Sequence, residues 1–223
     1  MLINSLILTT LFIAIFAFLF LNLNKVWFLA TDNRVSNFII DNLRSKHFNN
    51  IFYYLDKIYI GIIIFLYFLF SIYYYRTHPG NKLDVFKELM IWPSIFILLP
   101  MIVIIALCSF IKQRIKRQRP YIKPIKTYSA HSYSFPSIHA ASSITIVTGL
   151  FFLVNYSLSI YGYYPAQSSI LLLIAALIMC HITICYSRIY LGVHYLSDVI
   201  GGTFFSLSLI GILISTLLIY FRI

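Results

Sequence analysis

Six long apolar runs divide this chain, and they leave few folds open to it. They cover residues 5–21, 51–75, 88–111, 136–155, 168–186 and 198–221. Each meets or exceeds the roughly 17 residues that a helix needs to cross a bilayer. A segment in lipid must pair every backbone N–H and C=O internally, and a single helix can do so alone. The expected fold is therefore all-α, a polytopic membrane protein with six transmembrane helices. Residues 1–223 form one integral membrane domain, with no separate soluble part. Composition agrees, since 61% of residues are hydrophobic and only 10% charged, against roughly a quarter charged in a soluble domain. No Lys or Arg precedes the first run and no small-x-small site follows it, so it reads as a retained helix. Pro93 and Pro100 are expected to bend the third helix. Gly201, Gly202 and Gly211 are expected to let the sixth pack closely.

Residues 22–50 break this pattern. Trp27, Phe28, Val35, Phe38 and Ile39 alternate with Asp32, Arg34, Asp41 and Arg44. The reading is a short amphipathic interfacial segment, one or two helices lying at the membrane surface. It serves as a connector, or as a lid over lipid entry.

The net charge of +11 is high for a chain with so few charged residues. Those charges sit in short loops between lipid-facing runs, which excludes a nucleic-acid partner. An anionic headgroup or a phosphate substrate fits instead. Cys108, Cys180 and Cys185 all fall within apolar runs and read as small buried residues, with neither disulfide nor metal spacing.

With six spans, the loops after the first, third and fifth share one side of the membrane. Three chemical patterns fall there. The third run ends in Lys112-QRIKRQ-Arg119-Pro120, a K-x6-R-P spacing within a basic stretch that continues to Lys126. The fourth begins Pro136-Ser137-Ile138-His139. Proline suits the first turn of a helix, whose free amides bind anions. Ser137 adds a hydroxyl, and His139 lies close enough to give a proton. Between the fifth and sixth runs stands Ser187-Arg188-x5-His194-x3-Asp198. Arg188 can bind an oxyanion, and His194 can attack phosphorus. Asp198, four residues on, can face His194 from the same side of a helix and fix its tautomer. Phosphoryl transfer needs cations around the equatorial oxygens and in-line attack. Lys112, Arg119 and Arg188 supply the cations, Arg with bidentate reach. The six acids are scattered, so metal-independent chemistry without a cofactor is expected. His181 lies two helical turns before Arg188 and suits an interhelical hydrogen bond. His131 reads as a solvated loop residue.

These motifs resemble those of the type 2 phosphatidic acid phosphatase superfamily, written K-x6-R-P, P-S-G-H and S-R-x5-H-x3-D. The likeness spans residues 112–198 and extends to the six-helix layout. It implies that Lys112, Arg119, Arg188, Ser137 and the Ile138 amide hold phosphate. It implies that His194 forms a phosphohistidine oriented by Asp198, and that His139 protonates the leaving group. Ile138 replaces the family glycine, and a branched side chain there is expected to narrow the pocket or alter the backbone.

The expected function is a membrane lipid phosphatase acting on a monoester or diphosphate. The short basic loop after Arg119 leans towards lipid A or undecaprenyl diphosphate. The alternatives are a lipid phosphotransferase using the same intermediate and an inactive lipid-binding relative. Partners are the membrane lipid phosphate substrate and the bilayer, with the oligomeric state open. The resemblance implies the bacterial inner membrane with the site facing the periplasm. Charge bias opposes this: Lys25, Arg34, Arg44, Lys46, the stretch from Lys112 to Lys126 and Arg188 outnumber Arg76, Lys82, Lys87 and Arg222. The positive-inside rule would place the motif side in the cytoplasm.

Overall fold

The structure, a computed structural model, describes residues 2–55, 58, 59, 61, 97–120, 133–161 and 167–220. All regular structure among the described residues is helical. The helices are α1 (Leu2–Asn22), α2 (Val26–Asn42), α3 (Leu99–Ile115), α4 (Ile138–Tyr161), α5 (Gln167–Tyr190) and α6 (Leu196–Tyr220). A further helical segment, 46–55, follows α2.

Helices α1 and α6 are long and apolar enough to cross a membrane by length and composition. Shorter apolar stretches occupy residues 138–152 in α4 and 174–190 in α5. The expected second run lies mostly outside the described residues, as does the first part of the third with Pro93. Pro100 is the second residue of α3 and directly follows residues 97 and 98, which are π-helical; the chain before residue 97 lies outside the described residues.

Helix α6 is the central element, packing against α1, α2, α3, α4 and α5. Its contacts use small and hydroxyl-bearing residues, as expected where lipid removes the hydrophobic incentive for helix association. A side chain at Gly211 would run into Thr9 of α1. Nearby, the Ser5 and Ser215 hydroxyls lie 2.8 Å apart. Thr145 of α4 meets Ser206 of α6 at 2.7 Å. His181 joins three helices: its Nδ1 lies 2.7 Å from Ser143 Oγ of α4 and its Nε2 3.2 Å from Thr203 Oγ1 of α6. This is the interhelical role expected for it. An apolar cluster of Ile104, Cys108, Ala141 and Phe205 fills the space between α3, α4 and α6. Cys108 is buried as expected and Cys185 half-buried, but Cys180 is exposed on the apolar outer surface of α5.

The segment after α1 has a packed face as well, which the surface-lying reading leaves out. On α2, Asp32, Ser36 and Ile39 recur at helical spacing and are buried, while Trp27 and Phe38 on the other faces are exposed. The buried stripe packs on α5 and α6. Helix α2 therefore presents a carboxylate inward, at the end of the bundle where the motifs gather.

The start of α4 meets α6 backbone to backbone. A Cβ at Gly202 would strike the Ser137 carbonyl, which belongs to the main chain and cannot move aside. Gly202→Ala is expected to lower stability in detergent by roughly 1–3 kcal/mol through overpacking. Gly61, with open space around its Cβ position, serves as the control, and Gly61→Ala should leave the unfolding midpoint unchanged or slightly raised. Equal midpoints for Gly202→Ala and the parent protein would contradict the close contact.

Candidate active site

The turn between α5 and α6 carries the site. Helix α5 ends at Tyr190, and Gly192 follows in the left-handed region with φ 73°, a conformation that favours glycine at this position. The chain can then fold back on itself. The N–H groups of Val193 and His194 both point at the Arg188 carbonyl, at 3.2 and 3.3 Å. This places His194 beside the last turn of α5, where Arg188 is almost wholly buried.

Helix α6 starts at Leu196, so Tyr195 is its N-cap, a residue with no capping oxygen in reach of the first turn. Two carboxylates take over. Asp198, at the third helical position, reaches back so that Oδ2 accepts the Tyr195 N–H at 2.8 Å, half of a capping box. Asp32 of α2 accepts the Ser197 N–H at 3.0 Å and also the Ser197 hydroxyl. Both acids lie at the positive end of the helix dipole.

His194 is buried, with Nδ1 turned to Asp198 Oδ2 at 3.5 Å and Nε2 turned to Arg119 Nη1 at 3.5 Å. The first contact is a loose one, short of a formed hydrogen bond. Burial holds the His194 imidazole well below its usual pKa, and the positive fields of Lys112, Arg188 and Arg119, with His139, push the same way. The ring is thus neutral, with Nε2 facing the cations and carrying the lone pair if Nδ1 keeps its proton.

The first motif arrives from the end of α3. Lys112 is buried and donates to the carbonyls of Tyr133 (2.7 Å) and Ser134 (3.0 Å), which lead into α4. Half-buried Arg119 donates to the Val193 carbonyl at 2.7 Å. The second motif opens α4. Ser137 is its N-cap, with Oγ accepting the Ala140 N–H at 3.4 Å, and its own N–H donates to the Asp198 carbonyl at 2.9 Å. Pro136 therefore lies one residue before the cap and not at the first helical position as the sequence suggested. His139, half-buried in the first turn, has its ring centroid 5.7 Å from that of Tyr59.

Ile138 behaves differently from the sequence reading. Its side chain packs against the cluster of Ile104, Cys108, Ala141 and Phe205. The bulk that replaces the family glycine thus goes into helix packing, and the residue opens α4 as an ordinary first helical position. His131 and the basic residues Lys123 and Lys126 lie outside the described residues.

Two residues that the sequence did not single out belong to this cluster. Arg117, hidden among the basic residues after α3, is buried. Its Nη1 meets Asp198 Oδ1 at 2.5 Å and Ser197 Oγ at 2.7 Å, and its Nη2 meets Asp32 Oδ2 at 2.7 Å. Its guanidinium also lies 4.5 Å over the Tyr195 ring. Burial works against the Arg117 charge, yet Asp198 and Asp32 outweigh it and raise the guanidinium pKa. The one available signal was the i, i+4, i+7 stripe of Asp32, Ser36 and Ile39, which marks a buried face on α2. Among the described residues no group of three His, Cys, Asp or Glu side chains gathers as a metal site.

The helical bundle thus brings three cations to one end, around a buried histidine. The PAP2 superfamily profile matches residues 93–222, and the chain belongs to that superfamily. It is 35% identical to Phosphatidylglycerophosphatase B of Bacillus subtilis over 101 residues, which span 45% of each protein. Its fold is similar to the crystal structure of a transmembrane PAP2-type phosphatidylglycerolphosphate phosphatase from Bacillus subtilis. That match has a TM-score of 0.71 and 19% identity, covering 94% of both chains. Aquifex aeolicus LpxE matches at a TM-score of 0.48 and 24% identity, over 82% of this chain and 93% of the other.

Because Ile138 packs inward, Ile138→Gly is expected to cost about 1–3 kcal/mol from lost apolar contact and a looser first turn. Substrate preference of the folded protein should stay the same. Thermal unfolding in detergent, with activity per folded molecule, checks this. Altered preference at unchanged stability would place the side chain in the substrate space instead.

Proposed function

We propose that this protein is a membrane lipid phosphatase that works through a phosphohistidine on His194. The carrying observation is the convergence of Lys112, Arg119 and Arg188 on a buried, neutral His194 whose Nε2 faces Arg119. Three cations match the three equatorial oxygens of a transferring phosphoryl group. Ser137 and the amide of Ile138, at the open start of α4, add neutral donors. Arrays of this kind, fixed before substrate arrives, do most of their work by stabilising developing charge.

In the first step His194 Nε2 attacks phosphorus and the bond to the lipid oxygen breaks. His139 gives the departing oxygen its proton. Asp198, facing Nδ1, stabilises the positive charge that the ring acquires. In the second step water attacks the phosphohistidine, and His139 takes back a proton. The N–P bond breaks, freeing phosphate and His194. No step calls for a metal.

The substrate is a lipid phosphate whose tails stay in the bilayer beside the six-helix bundle. The basic stretch after α3 favours a headgroup with several negative charges, with lipid A and undecaprenyl diphosphate first among them. Phosphate release by the purified protein from these two, from phosphatidylglycerophosphate and from phosphatidate ranks the choices. His194→Ala is expected to abolish release from all four while the protein still folds. Turnover within a few-fold of the parent would end the mechanism. His139→Ala should slow poor leaving groups far more than an activated aryl phosphate, since a good leaving group needs no proton. Equal losses on both would remove His139 from that role.

The site faces the periplasm, with both termini inside. Arg117 supports this indirectly. It is neutralised by Asp32 and Asp198, so it joins Lys112, Arg119 and Arg188 as a cation retained for the site and weakens the opposing charge bias. A fluorescent-protein fusion at the C-terminus should light up and an alkaline phosphatase fusion stay silent. The reverse pattern would turn the protein over.

A further inference from the structure

Asp32 is remote from every motif in the sequence. It belongs to α2, ahead of the segment that the superfamily profile matches. Yet it is only 4% exposed, on a helix whose other acid, Asp41, is exposed. Burying a carboxylate is costly unless its oxygens are paired. Here both are: Oδ1 accepts the Ser197 N–H, and Oδ2 receives Arg117 and the Ser197 hydroxyl.

Arg117 uses its fork to join two acids from different helices. Nη2 is held by Asp32, and Nη1 is aimed at Asp198 Oδ1 and Ser197 Oγ. Asp198 then has Oδ1 occupied by the guanidinium and Oδ2 shared between the Tyr195 N–H and His194 Nδ1. A guanidinium is planar, so fixing one edge fixes the other. The chain of contacts runs from α2 to Asp198, whose Oδ2 lies 3.5 Å from Nδ1 of the nucleophile.

We infer that Asp32 and Arg117 are positioning residues, which through Asp198 set the orientation and tautomer of His194. This deepens the phosphatase reading of the same site and rests on it. Neither residue touches the reacting atoms. Asp32 holds Arg117 in place and ties down the first turn of α6. Arg117 holds Asp198 Oδ1 and so leaves Oδ2 pointed at Nδ1, so that Nε2 stays free for phosphorus. The segment after α1 thus supplies a part of the site that the catalytic motifs alone leave out.

The test uses full-length protein in detergent, with dioctanoyl phosphatidate in mixed micelles and an aryl phosphate as probes. Asp32→Asn removes the charge and keeps the shape. It should lower kcat by about 10–100-fold, the scale seen for partners that orient a functional group, with KM changed by less than about threefold. Asp32→Glu and Arg117→Lys should recover part of the loss, and Asp41→Asn on the same helix should change nothing. In an Asp198→Asn background, Asp32→Asn should add less than about a further twofold, because both act through one carboxylate.

Independent losses that multiply in that background would overturn the inference, as would a loss confined to KM. Nitrogen-15 histidine spectra provide an arm that needs no turnover. His194 should be a single Nδ1–H tautomer in the parent and a mixture in Asp32→Asn and Arg117→Gln. An unchanged tautomer in folded variants would refute the positioning role. A parent protein that releases no phosphate from either probe would end the phosphatase reading, while the spectra would still decide between positioning and packing.

Discussion

The carboxylate of Asp198 is fully buried, and the architecture of this end of the bundle follows from giving it partners there. An isolated carboxylate in such a place would give up its charge. Arg117 and the Tyr195 N–H oppose that. The carbonyl of the same residue takes the N–H of Ser137. One residue thus binds the end of α3, the start of α4 and the start of α6, which bring one motif each. Removing one member of a buried ion pair costs about 3–5 kcal/mol, because the other is left uncompensated. The motif order along the chain therefore becomes a cluster in space through a single shared anchor.

Around that anchor the remaining contacts divide between packing and charge. Close approach between α4 and α6 comes from Gly201 and Gly202 against Phe135 and Ser137. The apolar clusters on either side hold Ile104, Cys108 and Phe205, or Ile39, Tyr190 and Val199. Arg44, beyond α2, donates to the Tyr190 carbonyl at 2.9 Å, and the Ser45 N–H donates to the Tyr190 hydroxyl at 2.8 Å. The end of α5 is thus tied down from the same segment that supplies Asp32. Positive charge from Lys112, Arg119 and Arg188 is collected where burial removes the screening of water, which makes each charge count for more.

Much of this was legible in the sequence because the motifs carry chemistry at fixed spacings. The four-residue step from His194 to Asp198 brought the two side by side, although α6 begins only at Leu196 and His194 stands in the turn before it rather than on a shared helix face, and the six-residue gap from Lys112 to Arg119 carried the second cation past the end of α3. Three things were not legible. Asp32 and Arg117 lie 85 positions apart, and their pairing depends on how α2 packs, which hydropathy does not encode. Alternating charge in residues 22–50 gave a surface reading because an amphipathic helix at a membrane and one packed on a protein share a pattern. The motif around Ile138 suggests a pocket residue, but which way the first residue of a helix points depends on where α4 starts. The helix begins after Ser137, and this turns Ile138 into the α3–α6 cluster.

Chemical capture of the intermediate tests the central claim most directly. Purified protein is mixed with a lipid carrying radiolabelled phosphate, quenched with base within milliseconds to seconds, and digested for peptide mapping. Label should survive base, be lost in acid, and be confined to the peptide containing His194. Label on another residue, or rapid product formation with no labelled protein at any time point, would contradict it.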